Sequence, residues 1–255
     1  MGVLNVTPDS FSDGGRYLEQ TAAIEHGRRL VAEGADWVDV GGESTRPRAE
    51  PVPIAEELRR VVPVVEALAG DVKVSIDTRK PEVAEAAIAA GATLVNDVSA
   101  SLHEVVADHP GVGWVAMHML GDPRTMQGNP RYGDVVAEVR DFLVERAETA
   151  QTAGVTDIWI DPGIGFGKTT EHNLSLLAHL DELVATGYPV LVATSRKRFL
   201  GQLLAESDGV EQVGVDDRLE GSLATAAWAM HQGATMVRAH EVRATATAAR
   251  LCGAR

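Results

Sequence analysis

Short apolar runs recur along the chain, separated by longer stretches in which apolar positions return every three or four residues. The short runs are Gly2–Asn5, Trp37–Val40, Lys73–Asp77, Leu94–Asp97, Gly113–Met117, Ile158–Asp161, Val190–Ala193 and Met236–Ala239. They are rich in valine and isoleucine and too short for helices, the pattern of parallel strands buried on both faces. The longer stretches read as amphipathic helices. In Asp134–Ala153, for example, Val135, Val139, Phe142, Leu143 and Ala147 share one face. Gly34, Gly91 and Gly154 stand where such helices should stop, because glycine accepts the left-handed conformation of a helix end. Pro63 should kink or divide the helix expected over Pro53–Ala69.

Eight strand–helix units in 255 residues average roughly 32 residues each, the size of the unit in a closed β/α barrel. The expected fold is therefore α/β: a (β/α)8 TIM barrel, parallel and eight-stranded, with outer helices and a single domain over residues 1–255. An open doubly wound sheet is the competitor. It usually shows a G-x-G-x-x-G turn after the first strand, which is missing here.

Polar residues gather where these strands end. The first strand runs into Asn5 through Gly15, the second into Gly41-Gly42-Glu43-Ser44-Thr45-Arg46-Pro47. The next four end at Asp77, Asn96-Asp97, Met117-His118 and Asp161 through Lys168. The last two end at Ser195-Arg196-Lys197 and Arg238-Ala239-His240. In a parallel barrel these ends share one face, where barrel enzymes build their sites. Taken singly, an aspartate there is as often a helix cap, and a glycine-rich loop only a turn.

Charge narrows the ligand class. The net charge of −14 argues against nucleic-acid or anionic-membrane partners. Against that acidic body, Arg46, Lys168, Lys197 and Arg238 suggest a basic mouth suited to a small anion. Cys252 is the single cysteine, so a disulfide framework and a Cys-rich zinc site are excluded and a cytoplasmic location is expected. No apolar run reaches the roughly 18 residues of a spanning helix, and the N-terminus lacks the features of a signal peptide.

Together these segments closely resemble the motifs of the bacterial dihydropteroate synthase family. The resemblance is carried by Asn5 through Gly15, Gly41–Pro47, Ser75-Ile76-Asp77-Thr78, Asn96-Asp97-Val98-Ser99, Asp161–Phe166, Ser195-Arg196-Lys197 and Arg238-x-His240. It runs in order over nearly the whole chain; the first loop, S-R-K and R-x-H are its specific parts. It implies condensation of 6-hydroxymethyl-7,8-dihydropterin pyrophosphate with p-aminobenzoate, with pyrophosphate lost before the amine attacks. It assigns pterin binding to Asp77, Asn96, Met117, Asp161, Phe166 and Lys197, and pyrophosphate binding to Asn5, Arg46, Arg238 and His240. It assigns p-aminobenzoate binding to Phe11, Thr45, Pro47 and Ser195, catalysis to Asp161, Lys197, Arg238 and His240, and Mg²⁺ to Asn5. Thr7–Gly15 and Arg46-Pro47 resemble loops that close over the site. Sulfonamides as inhibitors and a homodimer, with the last helices as its interface, follow from the same resemblance.

Ala193, Arg48 and Ala100 stand where family members commonly carry glycine, and family members usually have several residues ahead of the first strand. Three rivals remain open. One is a pterin-binding relative without the condensation. Another is a methyltetrahydrofolate methyltransferase, which shares the pterin-edge aspartate and asparagine. The third is a scaffold barrel.

Overall fold

The computed structural model describes residues 1–7, 15–44, 50–122 and 125–253. Eight parallel strands alternate with helices: β1 (Gly2–Asn5), β2 (Trp37–Gly41), β3 (Lys73–Asp77), β4 (Leu94–Asp97), β5 (Gly113–Met117), β6 (Ile158–Asp161), β7 (Leu191–Val192) and β8 (Met236–Val237). Around them lie α1 (Gly15–Ala32), α2 (Ile54–Leu68), α3 (Pro81–Ala89), α4 (His103–Ala107), α5 (Val135–Ala153), α6 (Thr170–Ala178), α7 (Leu180–Val184), α8 (Arg198–Asp208), α9 (Leu219–His231) and α10 (Val242–Leu251).

Strands β1 to β6 pair in sequence order, and β7 pairs with β8. Two single bridges complete the circle, Ile160 to Val190 and Gly2 to Ala239. At the second, the Val3 N–H donates to the Ala239 carbonyl at 3.1 Å, and the Ala239 N–H donates to the Met1 carbonyl at 3.0 Å. The expected barrel is therefore closed. Its last two strands are shorter than the sequence pattern suggests, two residues each instead of four. Thr235 and Met236 both donate to the Val190 carbonyl, at 2.9 and 3.1 Å, and two successive amides sharing one acceptor cannot continue a regular ladder. Pro189, just before β7, has no N–H to give one.

Strand alternation sorts the apolar residues into two clusters. The larger lies between strands and helices and includes Leu4, Val38, Val40, Val74, Ile76, Val95, Trp114, Ile158, Ile160, Val192 and Val237. The smaller fills the barrel with Leu94, Val115, Leu191, Ala193 and Met236, flanked by Met1, Trp37 and Trp159. This two-sided burial is why the strands read as nearly continuous apolar runs. Residues one or two places further on open toward the mouth.

The helix signals hold with one exception. Asp134 caps α5, accepting from the Val136 and Ala137 amides, and Val135, Val139, Leu143 and Ala147 are buried beneath it; Phe142 is only partly buried and meets the His118 ring edge-on at 5.0 Å. Gly34, Gly91 and Gly154 all adopt positive φ, as a left-handed helix end requires. Pro63, however, does not divide its helix: α2 runs unbroken through it. Proline frees the carbonyl four residues back, here Arg59, and Gln20 Nε2 donates to that oxygen at 3.1 Å. Val61, Val64, Val65 and Leu68 anchor both sides of the proline in the core.

Candidate active site

One level of the mouth is built across four neighbouring strands. Register pairs Asn5 with Gly41, Gly41 with Asp77, and Asp77 with Asn96. Gly41 adds no side chain to this row. A Cβ built on it would lie 3.7 Å from Asp77 Oδ2 and 3.8 Å from Asn5 Oδ1. The oxygens of Asn5 and Asp77 therefore flank a common space. Further round, Met117 pairs with Asp161 across β5 and β6, both buried.

Arg238, just past β8, spans the barrel interior. Its Nε donates to Asp39 Oδ2 at 2.6 Å and its Nη2 to Asp77 Oδ2 at 2.8 Å. Asn96 Nδ2 donates to the same Asp39 oxygen at 3.1 Å. Asp39 is fully buried, so one carboxylate orients two of the expected site residues from below. Sequence reading did not single it out. The signal was a charged residue in the middle of the apolar run Val38-Asp39-Val40, on the inward phase that Gly41 shares.

Burial pushes Asp77 up to about 7, against the pull of Arg238 and with Asp39 adding to it. Burial also raises Asp161, against Lys197 and the Gly163 N–H that donates to its Oδ1 at 2.7 Å. Both carboxyls are short of donors in a desolvated place, which makes them strong acceptors for a ligand presenting N–H groups. Lys197 lies across from them and is lowered by burial to about 8, with Asp161 opposing the shift. Its Nζ donates to the Ile164 carbonyl and sits 4.7 Å from the Phe166 ring centroid. Ser195 and His240 join β7 to β8: the two side chains lie 2.9 Å apart, and the His240 N–H donates to Ser195 Oγ at 3.1 Å. Glu241 takes a bond from Ser195 at 3.2 Å and pairs with Arg196 at 2.5 Å.

The structure thus gathers Asn5, Asp77, Asn96, Met117, Asp161, Phe166, Ser195, Lys197, Arg238 and His240 at the strand ends. Phe11, Thr45, Arg46, Pro47 and Arg48 lie outside the described residues. Two readings change, and two of the departures from the family pattern gain a setting. The basic mouth becomes a nearly balanced one, because Arg238 is held by two carboxylates and Lys168 is buried in its own loop. Asp97, next to Asn96, faces the outer layer and accepts from Ser99, Ser101, Leu102 and Trp114, which makes it a structural cap. Ala193 packs in the barrel's inner cluster, and Ala100 takes a buried left-handed conformation with φ 50°.

Comparison with known proteins fits this geometry. Residues 1–240 match the family model described as pterin binding enzyme. The chain is 49% identical to the dihydropteroate synthase of Mycobacterium leprae, over 100% of this chain and 92% of that protein. It superposes on the Xanthomonas albilineans dihydropteroate synthase with 4-aminobenzoic acid at a TM-score of 0.91 and 48% identity, covering 100% and 91% of the two chains. The Yersinia pestis dihydropteroate synthase in a sulfonamide drug complex gives a TM-score of 0.90 at 44% identity, covering 100% and 92%.

Proposed function

The chain belongs to the pterin-binding enzyme family, and on that premise we propose that it condenses 6-hydroxymethyl-7,8-dihydropterin pyrophosphate with p-aminobenzoate, giving 7,8-dihydropteroate and pyrophosphate for folate biosynthesis. The observation that carries this reading is the acceptor row of half-buried Asp77 with buried Asn96 and Asp161, facing Lys197 and Arg238. A pterin edge presents N–H donors beside a carbonyl and ring nitrogens. Ionised Asp77 and Asp161 accept the donors, the Asn96 amide reads the mixed edge, and Lys197 donates to the carbonyl side. Phe166 and Met117 supply apolar contact to the ring.

The carbon–oxygen bond to pyrophosphate breaks with its electron pair leaving on the phosphate oxygen. The pterin methylene cation that remains is stabilised by ring conjugation and by the nearby carboxylates. The amine nitrogen of p-aminobenzoate then bonds to that carbon and loses a proton. With Asp39 holding its Nε and Asp77 its Nη2, Arg238 turns the remaining N–H groups of its guanidinium to the departing charge. His240 stands beside it after β8. The sequence needs no protein nucleophile.

Mg²⁺ fits at Asn5. It takes one or two protein oxygens and keeps waters and substrate phosphates, and Asn5 Oδ1 lies beside the Asp77 carboxylate. Bound there, it would neutralise pyrophosphate charge. Among the described residues no group of three His, Cys, Asp or Glu side chains could hold a metal. Ser195 and the loop residues Phe11, Thr45 and Pro47 are the proposed p-aminobenzoate contacts, and Arg46 a further pyrophosphate contact. Sulfonamides should compete there. A homodimer is proposed through the last helices, α9 and α10, where Leu219, Trp228 and Leu251 are exposed. A cytoplasmic location is proposed as well; among the described residues no helix is long and apolar enough to cross a membrane.

The deciding experiment is a coupled pyrophosphate-release assay with each substrate alone and with both, with and without Mg²⁺. Release that needs both substrates supports the reading; none with both sinks it.

A further inference from the structure

The loop after β6 is held in an uncommon way. Its five successive carbonyls, Gly163 to Gly167, each accept from a side chain: Lys168 takes Gly163 at 3.0 Å and Phe166 at 3.1 Å, Gln127 takes Gly165 at 2.6 Å, Tyr132 takes Gly167 at 2.8 Å, and Lys197 takes Ile164. Lys168 lies at the centre. Its ammonium also meets His118 Nδ1 at 2.9 Å and the His118 carbonyl at 3.3 Å, and the residue is 3% exposed. None of these contacts is to a carboxylate. The backbone wraps so tightly here that a Cβ on Gly163, at φ +63°, would stand 1.8 Å from the His118 carbonyl oxygen.

The Asp161 charge favours the Lys168 ammonium without bonding to it, and a buried cation held at that remove is expensive unless dipoles also solvate it. Here the loop's own carbonyls and one imidazole act as that solvent. The same loop presents Ile164 and Phe166 to Lys197. We propose that Lys168 is a positioning residue: its ammonium, gripped by His118 and the carbonyls of Gly163 and Phe166, folds the loop that aims Lys197 at the pterin. This rests on the pterin reading of the site, but the grip itself is physical and can be tested separately. Burial lowers His118 to about 3, so the imidazole is the acceptor of the pair, and lowers Lys168 to about 7, so the grip is fully formed only below that pH.

The test compares wild-type enzyme with Lys168→Met, which keeps the chain volume and removes the ammonium. Kinetically, the pterin KM should rise about ten-fold, the scale of one charged hydrogen bond, while the p-aminobenzoate KM stays within two-fold. Independently of turnover, the pH dependence of Lys197 acylation, followed by peptide mass spectrometry, reports how the amine is held. Lys197 faces Asp161, Arg238 and Asp77, and all three remain in the variant. Its titration should move upward, toward that of a solvated lysine. Tyr132→Phe loosens the same loop at Gly167 without changing charge and should shift Lys197 in the same direction; a shift in Lys168→Met alone would mark a field effect and overturn positioning. Equal rises in both KM values, or an unmoved Lys197 titration, would also overturn it. If Lys168→Met fails to fold, His118→Gln removes one acceptor only and should produce the same signs, smaller. If wild-type enzyme releases no pyrophosphate, the functional reading fails while the Lys197 titrations still decide the role of Lys168.

Discussion

Asp39→Asn is the most informative single change. It preserves shape, because the amide has nearly the volume of the carboxylate, and removes only a charge. That charge sits wholly buried, 2.6 Å from Arg238 Nε and 3.1 Å from Asn96 Nδ2. Breaking a buried ion pair typically destabilises by about 3–5 kcal/mol. Arg238 keeps Asp77 at 2.8 Å, so the low end applies, about 3 kcal/mol. An unfolding entropy of about 2.1 cal/mol/K per residue over this chain turns that into a fall in Tm of about 6 °C. A second readout distinguishes lost charge from poor packing. Asp39 is one of the groups raising Asp77, so its removal should carry the acid limb of activity to lower pH. Scanning calorimetry and a pH profile of kcat/KM for the pterin substrate measure the two effects. A Tm within 1 °C of wild type on the scale of that ~6 °C shift, with an unmoved acid limb, would refute the claim that Asp39 anchors the mouth.

In the unmodified protein, Asp77 must be ionised and Lys197 protonated, so kcat/KM should form a bell with limbs near 7 and 8, and Asp77→Asn should erase the lower limb. Because the folded pKa of Asp77 is raised above its unfolded value, the stability it contributes is present in acid and lost as pH rises through about 7; urea titrations at pH 5 and pH 8 should show Asp77→Asn gaining most at the higher pH. Arg238→Ala should chiefly damage pyrophosphate handling and Asp161→Ala pterin binding; equal, mild effects in substrate-binding assays would contradict the assigned roles. Ala100→Gly relieves a left-handed alanine, worth about 1–2 kcal/mol, but loses a buried methyl and adds chain entropy of similar size, so Tm should move by less than about 3 °C.

Much of this architecture was written in periodicity. Five of the eight strands begin and end where the apolar runs do, because a parallel strand buried on both faces has no polar interior to blur its limits. What was not legible was pairing. Asn96 and Asp97 are adjacent and similar on paper, yet alternation turns one into the mouth and the other against Trp114. Lys168 looks like Lys197 in a list of cations, but its partners are backbone oxygens that only the folded loop assembles. Asp39 was hidden among valines, and its importance depends on an arginine 199 positions away. Gln20 rescuing the carbonyl freed by Pro63 is the same kind of fact. Sequence spacing reports which groups a chain owns; burial and tertiary contact decide which of them meet.

The barrel's uneven lacing has a mechanical consequence. Asp77, Asn96, Met117 and Asp161 rise from the continuous six-stranded section, whereas Ser195, Lys197, Arg238 and His240 follow the two two-residue strands, tied in by single bridges. The mouth is a vice with one fixed jaw and one compliant jaw. On the proposed reading, most of the groups that read the flat ring stand on the fixed side and Lys197 on the other. The compliant side, with fewer backbone bonds to break, can yield as a charged group departs and a second molecule takes its place. Amides of β7 and β8 should accordingly exchange with deuterium before those of β3 and β4, even in the resting protein.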